Sequence, residues 1–507
     1  MSSFLEKIIA YTDQKKNIYI YGVGKYGRAI YELLKENRVQ ISGFLVSEKD
    51  GVYKDKPIYA MRDILHKLRS EDGIVLAMKV EYQHEVLMNF PQLQQWDVLC
   101  PSAKDWLLFT HRYFFENIAR LTNKYPPCKS LVKEEWKNIL IVRLDLIGDF
   151  VVTTPFIREL RRNFPKANIT LVVRKEIKCM LSNCPYIDDV IGVEYSVTDF
   201  YSRDYVYLEK TTKEITNKYL NNKVYDVVFL PRFIGIDDLF MNVLLAVYSG
   251  AAIRIARQDT MTSASTAGAD LLAPLFTVLV RHVKPQHEVK QILELLTAIE
   301  FSYIDDRTEL WLSHNDDEIA EKLLNKLPEL RIAIGLVSRD ENRTWGKEKY
   351  YLLIKKLQRI YGKNISIILM GGIDAVYAAK YIIDRTKGVV DLTQKTSISV
   401  ASAVLSKCNM YVGANTGLLH IASAFGKKIV EISAHLQNGN PNGGIAPQRF
   451  GAWRVPCITL QPKHGLDQEC ERAGYCKKKY SHCINQISVE EVFDAVKQML
   501  DKEIQKE

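Results

Sequence analysis

The chain has 507 residues, of which 47% are hydrophobic and 25% are charged, a composition typical of water-soluble globular proteins. This length is too great for one ordinary core and predicts about three domains of roughly 150 residues each. The net charge of +9 is mild. It is compatible with anionic small molecules or an anionic membrane surface, but a slightly basic solvated surface is the favoured interpretation, and no nucleic-acid partner is expected.

Membrane insertion and secretion are not indicated. The N-terminus carries charges where a signal peptide needs an apolar core. The longest apolar run, LLAPLFTVLV at 271–280, is well short of the ~20 residues that a membrane helix requires. Nine cysteines, an odd number in a long chain, do not suggest a disulfide framework. We therefore expect a cytoplasmic protein, with peripheral association at the inner face of the membrane as an option.

The first predicted domain, residues 1–112, opens with a strand, a glycine-rich turn and an amphipathic helix. Gly22, Gly24 and Gly27 form a G-x-G-x-x-G pattern, which is typical of a small nucleotide-binding α/β unit. An acid that would bind the ribose is expected about 20 residues further on, at the end of the next strand, but Ser47 occupies that place. A nucleotide site here is weakly supported, and an accessory or interaction role is the favoured interpretation.

Residues 113–136 predict a helix followed by a linker, and two further α/β domains are expected at 137–310 and 311–507. In both, short β-rich runs alternate with amphipathic helical patterns, which indicates parallel sheets with helices on both faces. Ligands bind such sheets at the carboxyl ends of their strands. A cleft between two doubly wound units is therefore the expected functional site.

The segment NILIVRLDLIGDFVVTTP, 138–155, places acids where a strand gives way to a helix. Asp149 directly follows Gly148, which permits a tight turn and close backbone approach. Taken alone, Asp149 is most simply a helix cap. Asp145 is interpreted as a solvated loop acid.

Two segments of the last domain favour phosphate binding. In GLVSRDENRTWGKEKY, Ser338, Arg343 and Lys347 follow a strand and precede a helix, while Trp345 is interpreted as a packing residue. The alternative for the basic residues is a solvated loop.

In MYVGANTGLLHIASAFGKKIVEIS, a strand is followed by a turn and a helix start. Asn415, Thr416, Gly417 and His420 would present backbone N–H groups, a hydroxyl and an imidazole to one spot, which suits a diphosphate. A helix cap beside a surface histidine is the competing interpretation.

Together, ILIVRLDLIGDFVVTTPFIRELRRNFPKANITLVVR and VGANTGLLHIASAFGKKIV resemble the ADP-heptose:lipopolysaccharide heptosyltransferases, glycosyltransferase family nine. The resemblance covers roughly 138–496 and includes SGAAIRIA and CINQISVEEV in the family's order. It implies the α/β GT-B fold, with two doubly wound domains facing a cleft and an extra N-terminal module. It further implies an acceptor-binding domain at 137–310, a nucleotide-sugar-binding domain at 311–507, and inverting transfer that requires no cofactor.

The same resemblance assigns roles to residues. Asp149 matches the proposed general base, Thr416, Gly417 and His420 match the donor-binding turn, and Ser338 matches a phosphate-binding hydroxyl. Arg343 stands where the family has a lysine that stabilises the leaving phosphate, which keeps the charge but changes its geometry.

The chain departs from the family pattern at positions besides Arg343. Asn415 replaces an acid that usually contacts sugar or ribose hydroxyls, which puts the identity of the donor in doubt. The family's Trp-Pro pair is Trp345-Gly346 here.

Four cysteines, Cys457, Cys470, Cys476 and Cys483, crowd near the C-terminus without the C-x-x-C spacing of common zinc knuckles. Some relatives carry a four-cysteine iron site in this region, so the resemblance implies a structural iron or zinc site. Unpaired thiols are the equal alternative. His482 is a weaker candidate for a ligand.

We therefore predict an inverting, heptosyltransferase-like glycosyltransferase that uses a nucleotide-activated sugar, with ADP-heptose as the expected donor. The expected acceptor is a lipopolysaccharide core, another cell-surface glycan or a glycolipid. A protein O-glycosyltransferase of the same family and a catalytically silent GT-B scaffold remain alternatives. A sugar-nucleotide epimerase is disfavoured by the transferase motifs.

Overall fold

The computed structural model describes most of the chain. The described residues are 4–48, 51–78, 80–110, 112–128, 130–131, 136–194, 205–233, 240–258, 270–281 and 284–504. They form three six-stranded sheets in three successive modules. Among the described helices, none combines the length and the apolar character needed to cross a bilayer.

The N-terminal module is a mostly parallel sheet in the order β3-β4-β2-β1-β5-β6, in which only the β3–β4 pair is antiparallel. Its strands are β1 Ile18–Tyr21, β2 Gly43–Val46, β3 Gly51–Tyr53, β4 Lys56–Ala60, β5 Gly73–Leu76 and β6 Val98–Leu99. Its helices, with the one that follows, are α1 Phe4–Thr12, α2 Lys25–Glu36, α3 Met61–Ile64, α4 Val80–Asn89, α5 Ala103–Thr110 and α6 Arg112–Lys124.

The glycines between β1 and α2 have a packing role. Gly22 has φ +104°, a conformation that L side chains rarely adopt. A Cβ on Gly27 would lie 1.8 Å from the Gly22 carbonyl oxygen, so glycine is required for the helix to pack on the strand. A Cβ on Gly24 would meet nothing within 4 Å. The turn and the helix packing therefore account for Gly22 and Gly27, and nucleotide binding by this module stays a prediction.

The middle module is an all-parallel sheet in the order β12-β11-β10-β7-β8-β9. Its strands are β7 Asn138–Arg143, β8 Asn168–Arg174, β9 Asp189–Val193, β10 Val227–Phe233, β11 Ile253–Gln258 and β12 Val278–Val280. Its helices are α7 Ile147–Val151, α8 Thr154–Asn163, α9 Lys175–Lys178, α10 Tyr205–Tyr219, α11 Phe240–Tyr248 and α12 Glu288–Thr297.

The C-terminal module repeats this topology, in the parallel order β15-β14-β13-β16-β17-β18. Its strands are β13 Leu330–Gly335, β14 Ile365–Met370, β15 Val389–Asp391, β16 Met410–Gly413, β17 Lys428–Ile432 and β18 Cys457–Leu460. Its helices are α13 His314–Leu324, α14 Lys347–Tyr361, α15 Val376–Ile383, α16 Ile398–Ser406, α17 Gly417–Ala424, α18 Pro447–Phe450, α19 Gln468–Ala473 and α20 Val489–Ile504.

The two all-parallel sheets reverse their strand order at equivalent places. In the middle module the order in which strands are added to the sheet reverses between β7 and β10, and in the C-terminal module it reverses between β13 and β16. Loops that leave the carboxyl ends of such neighbouring strands diverge and open a crevice, which is where doubly wound folds bind ligands. The predicted site segments follow β7, β13 and β16, so the topology brings them to these crevices.

The predicted linker 113–136 is largely packed. Ile118 and Leu121 of α6 are buried in the core of the middle module, and Arg120 donates to Glu209 of α10 at 2.8 Å. Residues 129 and 132–135 of this linker lie outside the described residues. Helix α6 therefore packs as part of the middle module, because its apolar face covers that sheet.

Candidate functional site between the two parallel sheets

The site centres on two helix starts that touch across the modules. Helix α7 follows β7, and α17 follows β16. A Cβ on Gly148 would lie 2.5 Å from Cδ2 of His420, and a Cβ on Gly417 would lie 3.1 Å from Cβ of Ile147. Glycine at both positions therefore lets the two helix starts approach each other closely.

Asp149 lies at this contact, and it does not act as a helix cap. Helix α7 has no side-chain hydrogen bond at its N-cap, Leu146. The Asp149 carboxylate instead accepts a hydrogen bond at Oδ1 from Nη1 of Arg232, at 2.8 Å. Arg143 donates to the Asp149 carbonyl oxygen at 3.0 Å. Two arginines at the ends of adjacent strands therefore hold the Asp149 carboxylate and its backbone at the crevice.

The interpretation of Asp145 as a solvated loop acid is wrong. Asp145 is 3% exposed, and its Oδ2 lies 2.8 Å from Nη1 of the fully buried Arg143. Burial raises the pKa of Asp145 to about 6, while Arg143 opposes that rise. A buried carboxylate needs such a partner, and here the pair fixes the arginine that holds Asp149.

On the other side, the turn after β16 is built around Asn415. Its Nδ2 donates to Oε1 of Glu431 at 3.1 Å and to the Phe450 carbonyl oxygen at 2.7 Å. Thr416 occupies the N-cap position of α17 but makes no side-chain cap hydrogen bond. Its hydroxyl lies 3.4 Å from the Tyr411 hydroxyl. The helix-cap interpretation of this turn therefore does not describe its geometry.

His420 is buried at 6% exposure, so it is not a surface histidine. Burial lowers the pKa of His420 to about 4, against a smaller opposing effect of Asp149. The imidazole is therefore neutral near pH 7 and can offer a hydrogen bond to a ligand without adding charge.

The loop after β13 brings Arg343 to the same turn. Nη2 of Arg343 donates to the Asn415 carbonyl oxygen at 2.5 Å, and burial lowers the pKa of Arg343. Ser338, 8% exposed, starts this loop, and its N–H donates to Thr344 Oγ1 at 3.0 Å. Trp345 is 1% exposed, which agrees with the packing role predicted for it.

Lys347 is placed differently from the rest of the predicted donor set. Its ammonium lies 2.9 Å from Glu348 and about 5 Å from the ring centroids of Tyr377 and Tyr381. Among the described contacts, none joins it to the turn at 415–420. Its role in donor binding stays a prediction.

A buried charge network, formed by Arg232, Arg257, Glu288 and Arg449, lies behind the site. Glu288 has no exposed surface and is an ion-pair partner of Arg257. Arg449, from the C-terminal module, donates to it at 3.2 Å, and Nε of Arg232 lies 3.8 Å away. Burial alone would raise the pKa of Glu288, but Arg257 and Arg449 lower it below its usual range. The network ties the two modules together next to Asp149.

A Cys/His cluster lies in the segment after β18. The ligand atoms of Cys470, Cys476, His482 and Cys483 all lie within 4.8 Å of one another. The backbone N–H of Lys477 donates to the Cys470 sulfur at 3.3 Å. Three thiols and one imidazole form the donor set of tetrahedral zinc sites, so these residues fit a metal ion.

The structure corrects the ligand set predicted for this cluster. Cys457 is the first residue of β18, and its sulfur lies 3.5 Å from Thr459 Oγ1 rather than within the group. His482 takes the fourth place instead. The reason is that Cys457 lies on strand β18, whereas the other three cysteines lie together in the segment from α19 to residue 483.

The two facing doubly wound domains define a fold of the GT-B class. Residues 217–436, less than half of the chain, match the model of the family described as glycosyltransferase family 9 (heptosyltransferase), to which the chain is similar. A curated relative, lipopolysaccharide heptosyltransferase 3 of Escherichia coli (strain K12), is 23% identical over 302 residues, and the match covers 56% of this chain and 79% of the relative.

Solved structures agree on the fold. The family 9 glycosyltransferase from Veillonella parvula DSM 2008 superposes with a TM-score of 0.57 at 18% identity and covers 74% of this chain and 100% of its own. The Escherichia coli ADP-heptose lps heptosyltransferase II superposes with a TM-score of 0.52 at 15% identity and covers 72% of this chain and 99% of its own. In both cases the matched fraction of this chain is close to the fraction that the middle and C-terminal modules make up.

Sequence reasoning missed several residues of the site. Arg232, Glu288, Glu431 and Arg449 carry charge but stand in no recognisable motif. One signal was available for two of them: Arg232 follows the buried run VVFLP, and Glu431 lies inside the run IVEIS, where a charged residue requires a partner.

Proposed function

We propose that the chain transfers a sugar with inversion from a nucleotide-activated donor, with ADP-heptose as the expected one. The acceptor would be a hydroxyl of a lipopolysaccharide core or a related cell-surface glycan. The observation that carries the proposal is the contact between α7 and α17, which joins Asp149 of one sheet to the Asn415–His420 turn and Arg343 of the other. The curated relative supports the sugar class, because its name states heptosyl transfer to lipopolysaccharide.

In this mechanism Asp149 accepts the proton of the acceptor hydroxyl as the oxygen attacks the anomeric carbon. The described contacts of its carboxylate fall on Oδ1, which leaves Oδ2 for that proton. The bond between the sugar and the diphosphate breaks on the opposite face, and the departing oxygen takes the electron pair. Arg343 and the N–H groups at the start of α17 stabilise the developing negative charge.

The test compares sugar transfer by the wild type with that of Asp149→Asn, using a panel of nucleotide-sugars and acceptor glycans. Loss of a general base is expected to lower kcat by about 10²- to 10⁴-fold, with little change in nucleotide affinity. Asp189→Asn is a matched control, because Asp189 starts β9 and pairs with Lys223 at the surface. Full activity of Asp149→Asn would remove Asp149 from the mechanism, and binding without turnover on any acceptor would favour the silent scaffold.

We also propose that Cys470, Cys476, His482 and Cys483 bind one structural zinc or iron ion. The support is the convergence of four ligand atoms in a buried group. Elemental analysis of the purified protein should give about one metal ion per chain, and Cys476→Ser should remove it. Cys457→Ser is the matched control and should retain the ion. Equal metal content in the two variants would contradict this ligand set.

A further inference from the structure

Glu431 is a buried carboxyl group to which the mechanism above gives no role. It lies on β17 with no exposed surface, and the sheet register pairs it with Gly413 and with Thr459. Gly413 ends β16, two residues before Asn415. Glu431 therefore faces the donor-site turn from behind, out of reach of solvent.

The contacts of Asn415 determine which way its side-chain amide points. The Phe450 carbonyl oxygen can only accept a hydrogen bond, so the group 2.7 Å from it must be the amide nitrogen. The second proton of that nitrogen goes to Oε1 of Glu431 at 3.1 Å. Both amide protons are thereby used, and the amide oxygen is the atom left for a ligand.

We propose that Glu431 is a positioning residue of the donor site, which holds the Asn415 amide so that its oxygen accepts a hydrogen bond from a hydroxyl of the nucleotide-sugar. The identity of the ligand in this inference rests on the proposed function. The orientation of the Asn415 amide rests only on its contacts with Phe450 and Glu431. The arrangement also offers a physical reason why asparagine stands at position 415, where the resemblance leads one to expect an acid. The carboxyl group absent at position 415 is supplied by Glu431 of the neighbouring strand, where it acts through the amide of Asn415.

Other contacts of Glu431 agree with a fixed carboxyl group. Oε2 accepts a hydrogen bond from Thr459 Oγ1 at 3.3 Å. A Cβ on Gly451 would lie 3.1 Å from the same oxygen, so the chain passes close to it there. Thr459 supports the carboxyl group without touching Asn415 in the described contacts, which makes it a control position.

The first test needs no ligand. Selective 15N-asparagine labelling, with assignment by Asn415→Ala, reports hydrogen exchange of the Asn415 side-chain amide. In the wild type and in Glu431→Gln, which keeps an acceptor oxygen, we expect slow exchange. Glu431→Val should speed the exchange at least tenfold, while Thr459→Val should not. An exchange rate in Glu431→Val equal to that of the wild type would overturn the proposal.

The second test measures donor kinetics in a double-mutant cycle. Glu431→Val should raise KM for the nucleotide-sugar about tenfold, the equivalent of one well-placed hydrogen bond, with a smaller effect on kcat. In an Asn415→Ala background the same substitution should add nothing, because its effect passes through the amide. Additive effects would overturn the positioning role. If the wild type transfers no sugar, the proposed function fails, and the amide-exchange result still decides the role of Glu431.

Discussion

Gly148 and His420 touch across the two parallel sheets: a Cβ on the glycine would lie 2.5 Å from Cδ2 of the imidazole. The next residue after Gly148 is the proposed base, and His420 belongs to the donor turn. The proposed catalytic and donor halves of the site are therefore held together by close contacts between the two helix starts, and this contact requires glycine at position 148.

Replacing Gly148 with alanine should disturb this register. We expect the unfolding free energy to fall by about 1–3 kcal/mol, because the methyl group overpacks a buried contact. Transfer activity should fall about 10- to 100-fold, since the two half-sites are pushed apart. Thermal melts and initial rates measure both effects.

The matched control is Gly24→Ala, where the backbone has φ −73° and an added Cβ meets nothing within 4 Å. It should leave both quantities nearly unchanged. Adding His420→Ala to Gly148→Ala should restore stability without restoring activity. A Gly148→Ala enzyme that is as stable and as active as the wild type would contradict this prediction, because α7 and α17 could then move apart without loss of stability or activity.

Neutralising Glu288 should be far more costly than neutralising a surface acid. Glu288→Gln removes the carboxylate that balances Arg257, Arg449 and Arg232, so we expect destabilisation of about 3–5 kcal/mol near pH 7. Glu71→Gln breaks an exposed pair with Lys16 and should cost less than about 1 kcal/mol. Equal melting temperatures for the two variants would contradict the network's role.

The Glu288 effect should also depend on pH in a stated direction. The pKa of Glu288 is lowered in the folded state, so its stabilising contribution is complete above the unfolded value of 4.5. It is lost as the pH falls below that value toward the folded pKa. The difference between the wild type and Glu288→Gln should therefore shrink under acid conditions, which melts at a series of pH values would reveal.

Glu431 should show the opposite sign. Burial raises the pKa of Glu431 from 4.5 to about 7, and the titratable or charged groups facing it are Arg343, Tyr411 and Cys457. The folded state thus favours the protonated acid, and stability declines as the pH rises from 4.5 to 7. Relative to the wild type, Glu431→Gln should gain up to roughly 3 kcal/mol between pH 5 and pH 8. Parallel stability curves would contradict this.

The fold and the strand–turn–helix segment that contains Asn415–His420 could be predicted because their information is local. Strand and helix periodicities alternate along the sequence, and the turn at Asn415–His420 is one short segment between a strand and a helix. The partners of these residues could not be predicted. Arg232 lies 83 residues from Asp149, and Phe450 lies 35 residues from Asn415, so only the folded sheets bring them together.

The errors have the same origin. Asp145 looked solvated because its partner, Arg143, is itself on a buried strand and shows no charge pattern. Cys457 was grouped with the other cysteines by proximity in the sequence, whereas β18 carries it away from them. Sequence spacing identifies ligands when they lie in one compact segment and fails when one of them lies on a strand of the sheet.

The Cys/His cluster should affect donor binding through the loop that carries Arg343. Ser481 Oγ donates to the Thr344 carbonyl oxygen at 2.7 Å, and Asn342 Nδ2 donates to the Cys476 carbonyl oxygen at 2.9 Å. These hydrogen bonds join the cluster segment to the loop on both sides of Arg343.

Ser481→Ala should therefore weaken nucleotide binding about three- to tenfold, the value of one or two hydrogen bonds, while the metal content stays unchanged. Calorimetry with the nucleoside diphosphate and elemental analysis measure the two quantities. Ser406→Ala is the matched control, because that hydroxyl bonds only within its own helix among the described contacts. Metal removal by a chelator should weaken nucleotide binding at least as much as Ser481→Ala does, since it releases the whole segment. Unchanged affinity after both treatments would show that the cluster stabilises only its own loop.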